Sequence, residues 1–96
     1  MDYSPGDAVR ILSGRDRGRL MRVLGQEQGM LLLADGRGRP VEHPKRKNPK
    51  HVTLAARADS AAAQQLLRGE PIRNSELRRD LAFLGQAKAD QDQGGL

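Results

Sequence analysis

Cysteine is absent from the chain, which excludes disulfides and thiolate metal sites and leaves no sign of an oxidising compartment. Aromatic side chains are nearly absent as well. Tyr3 and Phe83 are the only two, and a protein that reads single strands by stacking needs several exposed rings. No apolar run is long enough to cross a bilayer, and Met1-Asp2-Tyr3-Ser4-Pro5 lacks the charged-then-apolar pattern of a signal peptide. A cytoplasmic protein without membrane contact is therefore expected. Catalytic constellations are missing too: His43 and His51 have no cysteine or carboxylate cluster beside them to form a metal shell. No spacing recommends a Ser13, His43 and Asp35 triad. The segment Gly14-Arg15-Asp16-Arg17-Gly18 lacks the lysine-serine ending of a nucleotide-binding loop and leads into a strand rather than a helix. The expectation is a non-enzymatic protein that needs neither cofactor nor metal.

What the chain does have is positive charge, unevenly placed. Through Arg57 there are twelve Lys and Arg against six Asp and Glu, and from Ala58 onward five against six. The basicity thus belongs to one predicted folded unit and not to a terminal arm, the pattern of a domain that meets a polyanion. Ninety-six residues, 36% of them hydrophobic, suffice for one small domain with an appendage and a thin core.

The chain is organised around Val9-Arg10-Ile11-Leu12-Ser13-Gly14-Arg15-Asp16-Arg17-Gly18-Arg19, an apolar strand that breaks into a basic turn bracketed by glycines. Pro5-Gly6-Asp7 starts strand one, Ala8 to Ser13. Strand two is expected from Arg19 to about Gly25; Met21 and Val23 share one face, Leu20, Arg22 and Leu24 the other, so it meets two environments. Gln26-Glu27-Gln28-Gly29 closes a hairpin into a continuous apolar strand three, Met30 to Ala34. Asp35-Gly36 opens another turn, and a short fourth strand is placed around Pro40-Val41-Glu42. The run His43-Pro44-Lys45-Arg46-Lys47-Asn48-Pro49-Lys50 reads as an exposed loop, kept out of the sheet by its prolines. Strand five follows from His51 to Leu54.

Beyond Ala55 the pattern turns helical. Asp59 or Ser60 can cap a helix Ala61 to Arg68 that stops at Gly69, and Asn74 or Ser75 a second one with Glu76 in its first turn. Leu77, Leu81 and Leu84 form one apolar stripe with Phe83 beside it. Docking on the strands is the expected fate of that stripe, with a partner groove or a second copy as the rivals. Gln86 to Leu96, polar and ending in Gly94-Gly95, is expected to be disordered.

Ser13-Gly14-Arg15-Asp16-Arg17-Gly18-Arg19, preceded by Pro5-Gly6-Asp7-Ala8-Val9, resembles a KOW motif, found in ribosomal proteins and NusG-type transcription factors. Gly18 matches the family's most typical glycine, although Met21 stands where many members place a second one. With Ala34-Asp35-Gly36, Pro44-Lys45-Arg46-Lys47 and Asn74-Ser75-Glu76-Leu77-Arg78, the order of motifs is similar to the short bacterial KOW proteins classed with the eukaryotic large-subunit ribosomal protein fourteen-e, over most of Asp2 to Leu84. The resemblance implies a mainly β fold, a small SH3-like five-stranded barrel over residues 1–57, followed by a two-helix extension over 58–85 and a tail over 86–96. It also implies a ribosomal or other structured RNA as ligand.

The residue reading points the same way. Ser13, Gly14, Arg15, Arg17, Gly18 and Arg19 form the central loop, Arg37 and Arg39 a second, and Lys45, Arg46, Lys47, Lys50 and His51 a third segment. Loops between strands of a barrel can meet on one rim, where a phosphate backbone contacts all of them. Arginine outnumbers lysine nine to three through Arg57, which favours bidentate phosphate recognition, although a high-GC genome gives the same bias. The rival is a protein-interaction module docking on a ribosomal protein or RNA polymerase. A monomer is expected.

Overall fold

The structure, a computed structural model, describes the backbone of residues 2–94 and the side chains of residues 2–89. Alternation along the first strands separates two buried faces. On β1 (Ala8–Ile11), β2 (Leu20–Glu27) and β3 (Met30–Ala34), the residues Val9, Ile11, Met21, Val23, Leu31 and Leu33 point to one side and, with Val52 of β5 (Val52–Ala56), make the first core cluster. Successive strand residues face opposite ways. Ala8 and Ala34 accordingly face the other side, where Leu20 and Leu24 join them. The two environments read for strand two are therefore both present, and the second of them is supplied by a helix.

All pairings are antiparallel, in the order β4-β3-β2-β1-β5. The ladder ends at β4 (Lys45–Lys47) and β5, so hydrogen bonds do not close the five strands into a barrel. The sheet is nonetheless strongly curled. Four strand spacings would put the edges of a flat sheet about 19 Å apart. Yet only Asn48 and a one-turn 3₁₀ helix, Pro49–His51, join the two edge strands, five steps that reach about 18 Å only if fully extended and fall well short of it with three residues in a turn that rises about 2.0 Å each. Register shifts at Leu24 on β2 and at Ala55 on β5 add residues to one strand of a pair and supply the bend.

The fourth strand corrects the sequence expectation twice. Pro40-Val41-Glu42 is turn and irregular chain, and the pairing falls instead on Lys45-Arg46-Lys47, opposite Leu33, Leu32 and Leu31. The prolines at 44 and 49 bracket this strand without interrupting it, and as an edge it needs only one row of partners. Strands one and five also shift: β1 stops at Ile11, and β5 extends to Ala56.

Helix α1 (Ala61–Leu67) is capped by Ser60, whose hydroxyl accepts the amide of Ala63 at 3.1 Å, and the chain turns out at Gly69 with φ +76°. Helix α2 (Asn74–Gly94) buries Leu77, Leu81 and Leu84 against the second face of the sheet. The stripe thus docks on the strands, while Phe83, expected beside it, is 78% exposed. Asn74 does not cap this helix with its side chain: its Oδ1 accepts the Val41 amide at 2.9 Å, and its Nδ2 donates to Glu42 at 2.8 Å. The helix also continues through residues 86–94, the part of the chain expected to be disordered; 95–96 lie outside the described residues. That stretch has no proline and several good helix formers, so the preceding turns propagate into it.

One buried charge ties the helices to the sheet. Arg22 has no exposed surface; its Nε and Nη2 donate to Asp80 of α2 at 2.8 and 3.2 Å, Nη1 to the Gly6 carbonyl at 2.9 Å, and Nη2 to Ser60 at 3.3 Å. Asp59 lies 3.0 Å from Nη2. Removing one member of such a set leaves an uncompensated buried charge, whereas replacing the pair by apolar groups does not. Arg22→Met should therefore destabilise the protein by about 3–5 kcal/mol in urea unfolding. Arg22→Met combined with Asp80→Leu should recover most of that loss, and equal instability of the two variants would refute the assignment.

Candidate nucleic-acid interface

The loop after β1 is built by backbone turns. Gly18 donates its amide to the Ile11 carbonyl at 2.8 Å, Arg17 to Gly14 at 3.2 Å and Arg19 to Asp16 at 3.0 Å. Gly14 and Gly18 have φ of +91° and +88°, a conformation that costs other L-residues about 1–2 kcal/mol. Arg10 completes the frame by donating Nη1 to the Gly18 carbonyl at 2.8 Å. The result presents Arg15 and Arg17 to solvent while turning Asp16 inward, where the residue is only 6% exposed.

Asp16 is the point at which the basic segments meet. Arg39 of the second loop reaches its carboxylate with Nε at 3.0 Å and Nη2 at 2.9 Å, and Lys45 of β4 lies at 3.4 Å. Arg19 stands between it and Asp35, at 3.9 and 3.8 Å. Lys47, on the same face of β4 as Lys45, donates to the Ser13 carbonyl at 2.8 Å. The second loop has its own carboxylate: Asp35 Oδ1 accepts the amides of Arg37 and Arg39, both at 2.9 Å. Seven cations, Arg15, Arg17, Arg19, Arg37, Arg39, Lys45 and Lys47, thus stand on three linked segments with two carboxylates, Asp16 and Asp35, among them. Arg15, Arg17 and Arg37 are exposed and have no ion pair or side-chain hydrogen bond among the described residues.

The remaining candidates are divided. Arg46 points to the other face of β4 and contacts Glu27 and Gln28 at the β2–β3 turn, at 3.3 and 3.2 Å, so it does not join the group around Asp16. Lys50 is exposed on the 3₁₀ turn, and its amide is held by Asn48 Oδ1 at 3.0 Å. His51 is half-buried, and the contact that connects it to the loop is through its carbonyl, which accepts the Leu12 amide at 2.9 Å. Two of the nine arginines counted through Arg57, neither of them a candidate for the interface, serve the fold: Arg22, buried as described, and Arg57, whose Nη1 is 2.8 Å from the buried Asp7. Sequence reasoning missed Asp16 as a centre and Arg10 as a brace, since neither contact lies within a local pattern.

No family model matches this chain, and no curated protein does. No helix among the described residues is long and apolar enough to cross a membrane.

Burial pushes the Asp16 carboxyl up, but the Arg39 and Lys45 hydrogen bonds and charges more than offset it and hold the group below its ordinary value of 3.8. A depressed native value means that ionised Asp16 contributes stability in full above its unfolded value, a contribution lost as the pH falls through the native one. Urea titrations should therefore show stability declining below about pH 4. Asp16→Asn should lower stability at pH 7 and flatten that decline; an unchanged acid limb in the variant would count against Asp16 as the centre.

Proposed function

We propose that the chain is a non-enzymatic RNA-binding protein of KOW type, cytoplasmic and ribosome-associated, that holds the phosphate backbone of structured RNA, ribosomal RNA foremost. The observation that carries this reading is the meeting around Asp16 of its own basic loop with two later basic segments, Arg39 and Lys45 lying 23 and 29 residues on. A carboxylate at the centre offsets the mutual repulsion of its neighbours, while Arg15, Arg17 and Arg37 keep their forks for phosphate oxygens. Gly18, where a Cβ would meet nothing within 4 Å, leaves room for close backbone approach, while Gly14 leaves room for Lys47.

The SH3-like assignment is part of the same proposal. It is supported by a curled five-strand sheet in which the last strand returns to pair with the first, Val9 opposite Leu54 and Ile11 opposite Val52. Recognition by shape suits a chain without a stacking platform: Tyr3 packs against the first core cluster, which leaves Phe83 as a single exposed ring where several are needed. The protein-docking alternative loses the feature that motivated it, because Leu77, Leu81 and Leu84 are already covered by the sheet.

Neutralising about five phosphates should give a log affinity against log salt slope of about −3.5 to −4.5 on structured RNA. Arg15→Glu with Arg17→Glu should weaken binding by more than about tenfold at fixed salt. Arg46→Glu, on the other face of β4, should change it by less than about threefold. Salt-insensitive binding, or equal losses in both variants, would sink the assignment.

A further inference from the structure

Beside the group around Asp16 lies a second feature that the sequence did not suggest. A cleft of about 230 Å³ opens between the end of the first loop, the Asp35–Arg39 turn and helix α2. Arg19, Arg37 and Arg78 line it, one from each of these three elements, with Leu20 and Leu81 contributing apolar wall. Asp35 is the one carboxylate among the residues that line it. One oxygen of Asp35 is occupied by the amides of Arg37 and Arg39, and the other is 3.8 Å from Arg19.

We propose that Arg19, Arg37 and Arg78 form a phosphate subsite that takes one backbone phosphodiester of the bound RNA and so brings helix α2 into the interface. This rests on the RNA-binding reading above and extends it to a residue outside the three basic loop segments. The chemistry of the lining selects the ligand. Guanidinium forks match phosphate oxygens in pairs, and a net excess of two positive charges in one cleft is relieved by an anion. The cleft is smaller than the roughly 300–1,000 Å³ of sites that enclose drug-sized molecules, so it suits a phosphate with its sugar edge against Leu20 and Leu81, and not an enclosed nucleotide.

The frame is fixed before any ligand arrives. Arg78 Nη1 donates to the Gly36 carbonyl at 2.8 Å, which orients the guanidinium and leaves its other N–H groups without a hydrogen-bond partner among the described residues. Gly36, with φ +77°, lets α2 come this close: a Cβ there would stand 2.4 Å from the Asn74 carbonyl oxygen. The Asn74 side chain holds Val41 and Glu42 from the same helix turn. Gly38 gives Arg19 similar room, since a Cβ would lie 3.1 Å from its Nη1. Pre-ordered donors of this kind lose little freedom on binding.

The test uses the full chain with two probes. With structured ribosomal RNA, Arg37→Gln and Arg78→Gln should each weaken binding roughly tenfold and make the salt slope less negative by about 0.7–0.9. The double variant should lose little more, because both residues serve one phosphate. Arg37 has no side-chain hydrogen bond or ion pair to lose among the described residues, so its variant should unfold at nearly the same urea concentration as the parent, whatever Arg78→Gln does. With inorganic phosphate and no RNA, the arginine Nε resonances of residues 19, 37 and 78 should shift together, and that of Arg46 should not. If the two variants bind RNA like the parent while Arg15→Glu with Arg17→Glu does not, the subsite is overturned and the RNA reading stands. If the parent binds no structured RNA, both fall, and phosphate shifts confined to these three arginines would then mark a free-anion site in place of the one proposed.

Discussion

The Arg22 guanidinium is the contact on which the arrangement of this small protein depends. It sits with no exposed surface between β2, the α1 cap and α2, bonded to Asp80, Ser60 and the Gly6 carbonyl. Its importance follows from a weakness in the strand that carries it. Leu20, Met21, Val23 and Leu24 place apolar groups on both faces of β2, so hydrophobic alternation alone sets the register poorly. A slip of one residue would drive Arg22 into the first core cluster, among Val9, Ile11, Leu31 and Leu33, where no carboxylate waits. The charge makes the wrong register costly, and the carboxylates on the helices make the right one tolerable. Orientation of α2, and with it the position of Arg78 beside the Asp35–Arg39 turn, follows from that choice.

The basic end of the molecule shows the same economy of carboxylates. Asp16 gathers Arg39 and Lys45 from other segments and Asp35 meets Arg19, and together they divide the cations of this end into two kinds. Arg19, Arg39 and Lys45 hold the loops together, while Arg15, Arg17 and Arg37 face solvent uncommitted. A surface made only of the second kind would push its own loops apart. One made only of the first would have nothing left for a ligand.

How much of this could be read in the sequence depends on the range of the contact. Strand three, the hairpin into it, the Ser60 cap and the stop at Gly69 rest on neighbouring residues and appear where the local pattern puts them. Lys45-Arg46-Lys47 does not: three cations between prolines resemble a solvated loop, and only pairing with Leu31 to Leu33 makes them an edge strand. Asn74 looks like a cap until Val41 and Glu42, more than thirty residues earlier, are brought beside it. Asp16 is locally one acid among arginines, and its role comes from residues 23 and 29 positions away. Arg22 was legible as a residue facing away from Met21 and Val23, but not as buried, because its partners are on helices that local patterning cannot orient.

The ladder between β1 and β5 has a consequence for the order of assembly. It joins residues 8–11 to residues 52–56, so the first strand made has only one of its two neighbours until more than half of the chain exists. The outer face of β2 waits longer still, for Asp80. During synthesis that face therefore carries a bare guanidinium in water, which keeps the unfinished sheet from joining another such sheet through its oily side.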